Sequence, residues 1–127
     1  MGAEEKRLYP RLSLDLEDGY FGQFKTKTGE KVVAAIVNLS AGGINMAVSA
    51  TYQDKITEGE TLLFQNLAGG TSLTFLGEVK GEIRWIKKLN IPKYISVGIR
   101  FTEISEESRQ QLSKFVDTER RARGQYS

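Results

Sequence analysis

Along most of the chain, hydrophobic and polar positions alternate with period two, the signature of strands with one face in a core. Leu12, Leu14 and Leu16 alternate with Ser13 and Asp15, and Asp18-Gly19 then marks a turn before Tyr20, Phe21 and Phe24. Thr28-Gly29-Glu30 is a second turn signal. Val32 to Val37 is an unbroken apolar run, the pattern of a strand buried on both faces. Asn38 to Gly43 breaks it, and Ile44, Met46 and Val48 restore the alternation. Residues 49–60 read as a polar connection, Leu62 and Phe64 as a short strand, Gly69-Gly70 as a turn. Between 73 and 86, Leu73, Phe75, Val79, Ile83 and Trp85 share one parity, while Thr74, Glu78, Lys80, Glu82 and Arg84 share the other. Gly77 and Gly81 interrupt the apolar face, which predicts bulges or tight curvature. Asn90 and Pro92 lie in the next turn, and Ile95, Val97, Ile99 and Phe101 form a last alternating strand.

After residue 104 the period changes. Ser105 is a helix N-cap, with Glu106 and Glu107 in the first turn where they complement the dipole. Leu112, Phe115 and Val116 form one apolar stripe; Arg120, Arg121 and Arg123, followed by Gly124, mark the end. Six or seven short strands and one helix predict an all-β-dominated barrel or sandwich. The expected organisation is a single domain: a flexible N-terminal loop over 1–11, a barrel over about 12–103 and a C-terminal helix over about 105–123.

Composition narrows the chemistry. The 127 residues are 39% hydrophobic, enough for one core. Lys and Arg number 18 against 16 Asp and Glu, a formal net charge of +2, which disfavours a general nucleic-acid binder but allows a local basic patch. With neither cysteine nor histidine, the sequence has no disulfide, no thiolate metal site and no histidine base. No paired acidic motif or Walker-type phosphate loop stands out, so an enzyme is not expected. No apolar run reaches the roughly 20 residues of a membrane helix. Met1 to Lys6 lacks the apolar stretch of a signal peptide, so the expected compartment is the cytoplasm.

Two short constellations carry candidate chemistry. The first is Lys6-Arg7-Leu8-Tyr9-Pro10-Arg11. Pro10 disfavours a helix there, so this is an extended loop able to wrap a ligand or a solvated basic tail. An arginine fork suits both the guanine O6/N7 edge and phosphate. The second is Asn38-Leu39-Ser40-Ala41-Gly42-Gly43, a plain hairpin connection or a ligand-binding turn. Its short polar side chains can bond a ligand, its glycines allow positive φ or close approach, and its successive amides could form an anion nest. Trp85 has core parity, and Arg84 and Arg100 take the opposite, solvated side. The cluster of Arg120, Arg121 and Arg123 reads as a dipole-compatible helix end.

Together the two constellations resemble the motifs of the PilZ domain family. Arg7 and Arg11 match its Arg-x-x-x-Arg motif; Asn38, Ser40 and Gly43 match its Asn/Asp-x-Ser-x-x-Gly motif. Val97-Gly98-Ile99-Arg100-Phe101 resembles the family's closing strand, and the likeness spans about residues 6–118. The resemblance implies a six-stranded antiparallel split barrel with a C-terminal helix. It also implies a bacterial cyclic di-GMP receptor that signals to a downstream protein partner in motility, biofilm or exopolysaccharide control. No other cofactor, nucleic-acid polymer or membrane insertion is expected. By the same resemblance the ligand-binding residues would be Lys6, Arg7, Arg11, Asn38, Ser40, Gly42 and Gly43, with Trp85 as a stacking candidate. Lys6 stands where many members have another arginine, a position that influences whether one ligand or a stacked pair binds. The competing readings are a PilZ-like protein-interaction module that binds no nucleotide, and an oligonucleotide-binding barrel. Intact motifs disfavour the first; near-neutral charge and inward aromatics disfavour the second.

Overall fold

The computed structural model describes residues 9–26, 28–68, 79–89 and 92–125, with 65–68 described by backbone alone. The alternating segments become strands β1 (Leu12–Ser13), β2 (Phe21–Lys25), β3 (Lys31–Ser40), β4 (Gly43–Ser49), β5 (Thr61–Ala68), β6 (Val79–Lys88) and β7 (Tyr94–Glu103), followed by helix α1 (Glu106–Ala122). Every pairing is antiparallel. Six strands run round in the order β3-β2-β5-β6-β7-β4, and the β4–β3 pairing closes the circuit. Closure removes the open edges of a sheet. The short β1 lies beside β3, with Leu12 opposite Leu39.

Inward residues of all six strands fill the barrel. Phe24 and Phe64 sit 5.7 Å apart between ring centroids, and Phe64 meets Phe101 edge-on at 6.2 Å. Val32, Ile36, Met46, Leu62, Ile83 and Val97 are fully buried among them. Each such side chain contributes roughly 1.5–3 kcal/mol by leaving water. Gly81 falls at a register shift between β6 and β7, the bulge its position predicts.

Helix α1 packs its apolar stripe on β1 and β3, burying Leu112, Phe115 and Val116. Tyr20 meets Phe115 edge-on at 6.0 Å. Ser105 Oγ accepts from Ser108 N at 3.1 Å, as the cap predicts. Two contacts tie the helix end to the first strand and the turn after it. Gln125 zips along Ser13, its Oε1 accepting from Ser13 N at 2.8 Å and its Nε2 donating to Ser13 O at 3.0 Å. Arg123 Nη1 donates to Asp18 Oδ2 at 3.1 Å. Arg121 pairs with Asp117 at 3.1 Å, so Arg121 and Arg123 of the basic cluster make ion pairs.

Two local expectations change. The first strand stops after Ser13, and Leu16 is exposed in a 3-10 turn, Leu16–Asp18. There Asp15 N donates to Asp18 Oδ2 at 2.7 Å, a side-chain bond that competes with the ladder. The run Val32–Val37 is buried on one face only: Val32, Ala34 and Ile36 point inward while Val33 is 61% exposed. An apolar run cannot by itself tell a covered outer face from a bare one. The predicted features at Gly69-Gly70, Leu73, Phe75, Gly77 and Asn90 lie outside the described residues.

Candidate functional site

A cleft of about 530 Å³ lies on the outer side of β4, β6 and β7, beside the β3–β4 turn, the segment entering β1 and the start of α1. That volume falls within the range of small-molecule sites, about 300–1,000 Å³.

Two bulges aim residues into it. In β3 the pairing with β4 slips between Ile36 and Asn38, so Val37 is the extra residue. Ile36 and Leu39 are buried, while Asn38 lines the cleft. Without the slip, Asn38 would share the inward parity of Ile36. In β6 the pairing with β7 slips between Ile83 and Trp85. Ile83 stays in the core and Trp85 emerges into the cleft instead of following it inward. The core parity expected for Trp85 is therefore undone by a bulge, a device that re-aims a side chain at the expense of one ladder position. Trp85 lies directly over Gly98, its register partner: a Cβ there would collide with the indole atoms Cε2, Nε1 and Cζ2.

The β3–β4 turn forms one wall. Ser40 Oγ accepts from the backbone N of Gly42 at 3.1 Å and of Gly43 at 3.2 Å. The two amides that could have made an anion nest are engaged by this hydroxyl. Gly42 O accepts from Phe101 N at 2.9 Å, fixing the turn to β7. Neither glycine adopts positive φ; both are needed for close approach. A Cβ on Gly43 would collide with the Ile99 carbonyl oxygen, and one on Gly42 would stand 2.7 Å from Tyr9 Cδ2.

Tyr9 ties the segment entering β1 to the motif turn and to α1. Its ring lies on Gly42, its hydroxyl accepts from Arg109 Nη1 at 2.7 Å, and the Arg109 guanidinium sits 5.3 Å from the ring centroid. Arg11, exposed just before β1, faces the same cleft. Four arginines line it in all, Arg11, Arg84, Arg100 and Arg109, and no carboxylate does among the described residues. A chain of net charge +2 thus concentrates positive charge at one place, which favours an anionic occupant.

Six of the residues singled out in the sequence meet here: Arg11, Asn38, Ser40, Gly42, Gly43 and Trp85. Lys6 and Arg7 lie outside the described residues. Tyr9, Asn45, Gly98 and Arg109 were not anticipated, and Arg84 and Arg100 were assigned to solvent. The outward parity of Arg84 and Arg100 was legible, but not that the outer face of β6 and β7 bears the cleft. Arg109 offers no sequence signal, since only tertiary packing brings the first turn of α1 beside Tyr9.

The model of the PilZ domain family matches residues 5–118. The fold is similar to that of the PilZ domain of YcgR from Escherichia coli, solved with c-di-GMP: TM-score 0.73, 22% identity, 95% of this chain and 97% of that one. It is also similar to the Bacillus subtilis inhibitor of motility, MotI/DgrA, at TM-score 0.76 and 18% identity, over 98% of this chain and 55% of that one. The K. pneumonia MrkH–c-di-GMP complex matches at TM-score 0.73 and 15% identity, over 97% of this chain and 57% of the other. The chain therefore spans little more than half the length of the last two proteins. No curated protein sequence matches it. Strand circuit, C-terminal helix, paired motifs and matched length together place the chain in the PilZ domain family.

Proposed function

We propose that this protein is a non-enzymatic cyclic di-GMP receptor. The observation that carries the reading is convergence: Arg11, Asn38 with Ser40 and Gly43, and Trp85 come from three separate stretches of sequence and line one arginine-rich cleft. In this reading Arg11, with Arg7 and Lys6 from the preceding segment, grips guanine edges and phosphates. Asn38 bonds a guanine edge. Ser40 and the two glycines form a wall that a base can approach closely. Trp85, seated flat on Gly98, offers a stacking face. The fold likeness to the YcgR PilZ domain, solved with this ligand, supports the assignment.

Such a receptor acts through a partner. Ligand orders the N-terminal arginine segment over the cleft, and the surface so formed is read by a downstream cytoplasmic protein. The likeness to an inhibitor of motility supports motility control as the output.

Calorimetric titration with cyclic di-GMP tests this, with GTP as control and with an Arg7→Ala, Arg11→Ala variant. Saturable binding that the variant lacks and GTP does not reproduce is the expected result, and the fitted stoichiometry counts the ligands. A folded wild-type protein that binds no cyclic di-GMP would overturn the reading in favour of a protein-interaction module.

A further inference from the structure

We infer that Arg84 and Arg100 form a phosphodiester subsite on the outer face of β6 and β7, drawn together by Glu82. This rests on the receptor reading above and names a part of the site that neither motif contains.

Gly43, the last residue of the second motif, stands opposite Arg100 across β4–β7, and Arg100 stands opposite Glu82 across β7–β6. A single row of the sheet therefore runs from the motif turn to the acid. Two residues along β7, on the same face, Gly98 lies opposite both Asn45 and Trp85. The floor between the turn and the tryptophan is thus bare backbone at Gly43 and Gly98, flanked by Arg100 on one side and Arg84 on the other. A flat base on that floor would carry its phosphate to the arginines.

Glu82 Oε1 meets both guanidinium groups, at 3.4 Å from Arg100 Nη2 and 3.7 Å from Arg84 Nη1. Both distances are long for charge-assisted bonds. Both arginine side chains are more than half exposed, at 53% and 61%. Such pairs are weak and exchangeable in water. A phosphodiester has oxygens for both forks and forms shorter bonds with them. Glu82 itself does not line the cleft. It holds the two side chains near one point before the ligand arrives and loses part of its hold when the phosphate takes over, so its charge opposes binding.

This arrangement predicts opposite signs for neighbouring substitutions. In titrations with cyclic di-GMP, Arg84→Ala and Arg100→Ala each weaken binding roughly tenfold, the loss of one bond to a charged group. Glu82→Gln tightens binding several-fold. Thermal melts check that each variant stays folded, as their exposure leads one to expect. Wild-type affinity in both arginine variants, or weaker binding in Glu82→Gln, would overturn the subsite while leaving the receptor intact. Absence of binding in the wild type would instead remove the receptor reading and the subsite with it.

Discussion

Tyr9 and Arg109 are a hundred residues apart in the chain, yet the Tyr9 hydroxyl accepts a 2.7 Å bond from Arg109 Nη1. Because the same ring rests on Gly42, one side chain joins the N-terminal segment, the motif turn and helix α1. Arg11 follows two residues later, so its approach to the cleft depends on this anchor. Tyr9→Phe, which keeps the ring and removes the hydroxyl, is expected to cost about 1 kcal/mol in urea unfolding. Tyr9→Ala releases the segment as well, and is expected to weaken cyclic di-GMP binding more than Tyr9→Phe does. Equal affinities in the two variants would show that the ring does not position Arg11.

Trp85 is the sole tryptophan of the chain, so its fluorescence reports on the cleft alone. Ligand stacking on the indole predicts quenching on titration. Gly98→Ala puts a methyl group where the ring lies and should shift the emission of the free protein and remove most of the ligand response. A wild-type emission spectrum in Gly98→Ala would contradict the close seating of the ring.

Gly43 presents a different kind of crowding. A Cβ there meets the Ile99 carbonyl, which belongs to a strand and cannot rotate away. Gly43→Ala is expected to destabilise the barrel by about 1–3 kcal/mol, the usual range for overpacking, seen as a lower urea midpoint with unchanged slope.

Acid stability provides a test of the link between α1 and the turn after β1. The Asp18 carboxylate accepts from the Asp15 backbone amide and from Arg123, and these bonds hold its pKa below the ordinary aspartate value. A carboxyl group with a depressed folded pKa adds stability that is fully present above the unfolded value, about 4, and is lost as pH falls through the folded one. Asp18→Asn should therefore melt below wild type at neutral pH, with the gap narrowing once the pH drops below about 4. A gap independent of pH would mean the carboxylate charge plays no part.

How much of this was visible in the sequence depends on the physical origin of each feature. Helix α1 was legible from Ser105 to Gly124 because capping, dipole charges and an apolar stripe are local signals that agree. The strands carrying Met46, Leu62, Val79 and Ile99 were legible because their inward residues alternate. Leu16 was misread because a side-chain bond from Asp18 ends the alternation without changing its pattern. Parity set Trp85 with the core, against its place as a stacking candidate, because parity counting assumes an unbroken ladder, and the slip after Ile83 leaves no mark in residue type. Arg84 and Arg100 were dismissed because an outward arginine on a strand looks the same whether or not a cleft lies beneath it. The second motif was found by residue identity, and of the two uses open to its glycines the fold takes close approach, to Tyr9 and the Ile99 carbonyl, rather than unusual dihedral angles.

The bulges at Val37 and in front of Trp85 separate two properties that a regular strand ties together. In an even ladder every second residue must be hydrophobic, so a recognition residue can stand only where the core leaves a place for it. One inserted residue resets that count. Downstream positions exchange inside for outside while the strand upstream keeps its packing. Regular pairing through Val37, with no slip, would turn Asn38 inward and Leu39 outward with every amino acid of the motif still present. For this protein the slip in the ladder is itself part of the site, and regular pairing through Val37 or Arg84 would silence the cleft as thoroughly as removal of its arginines.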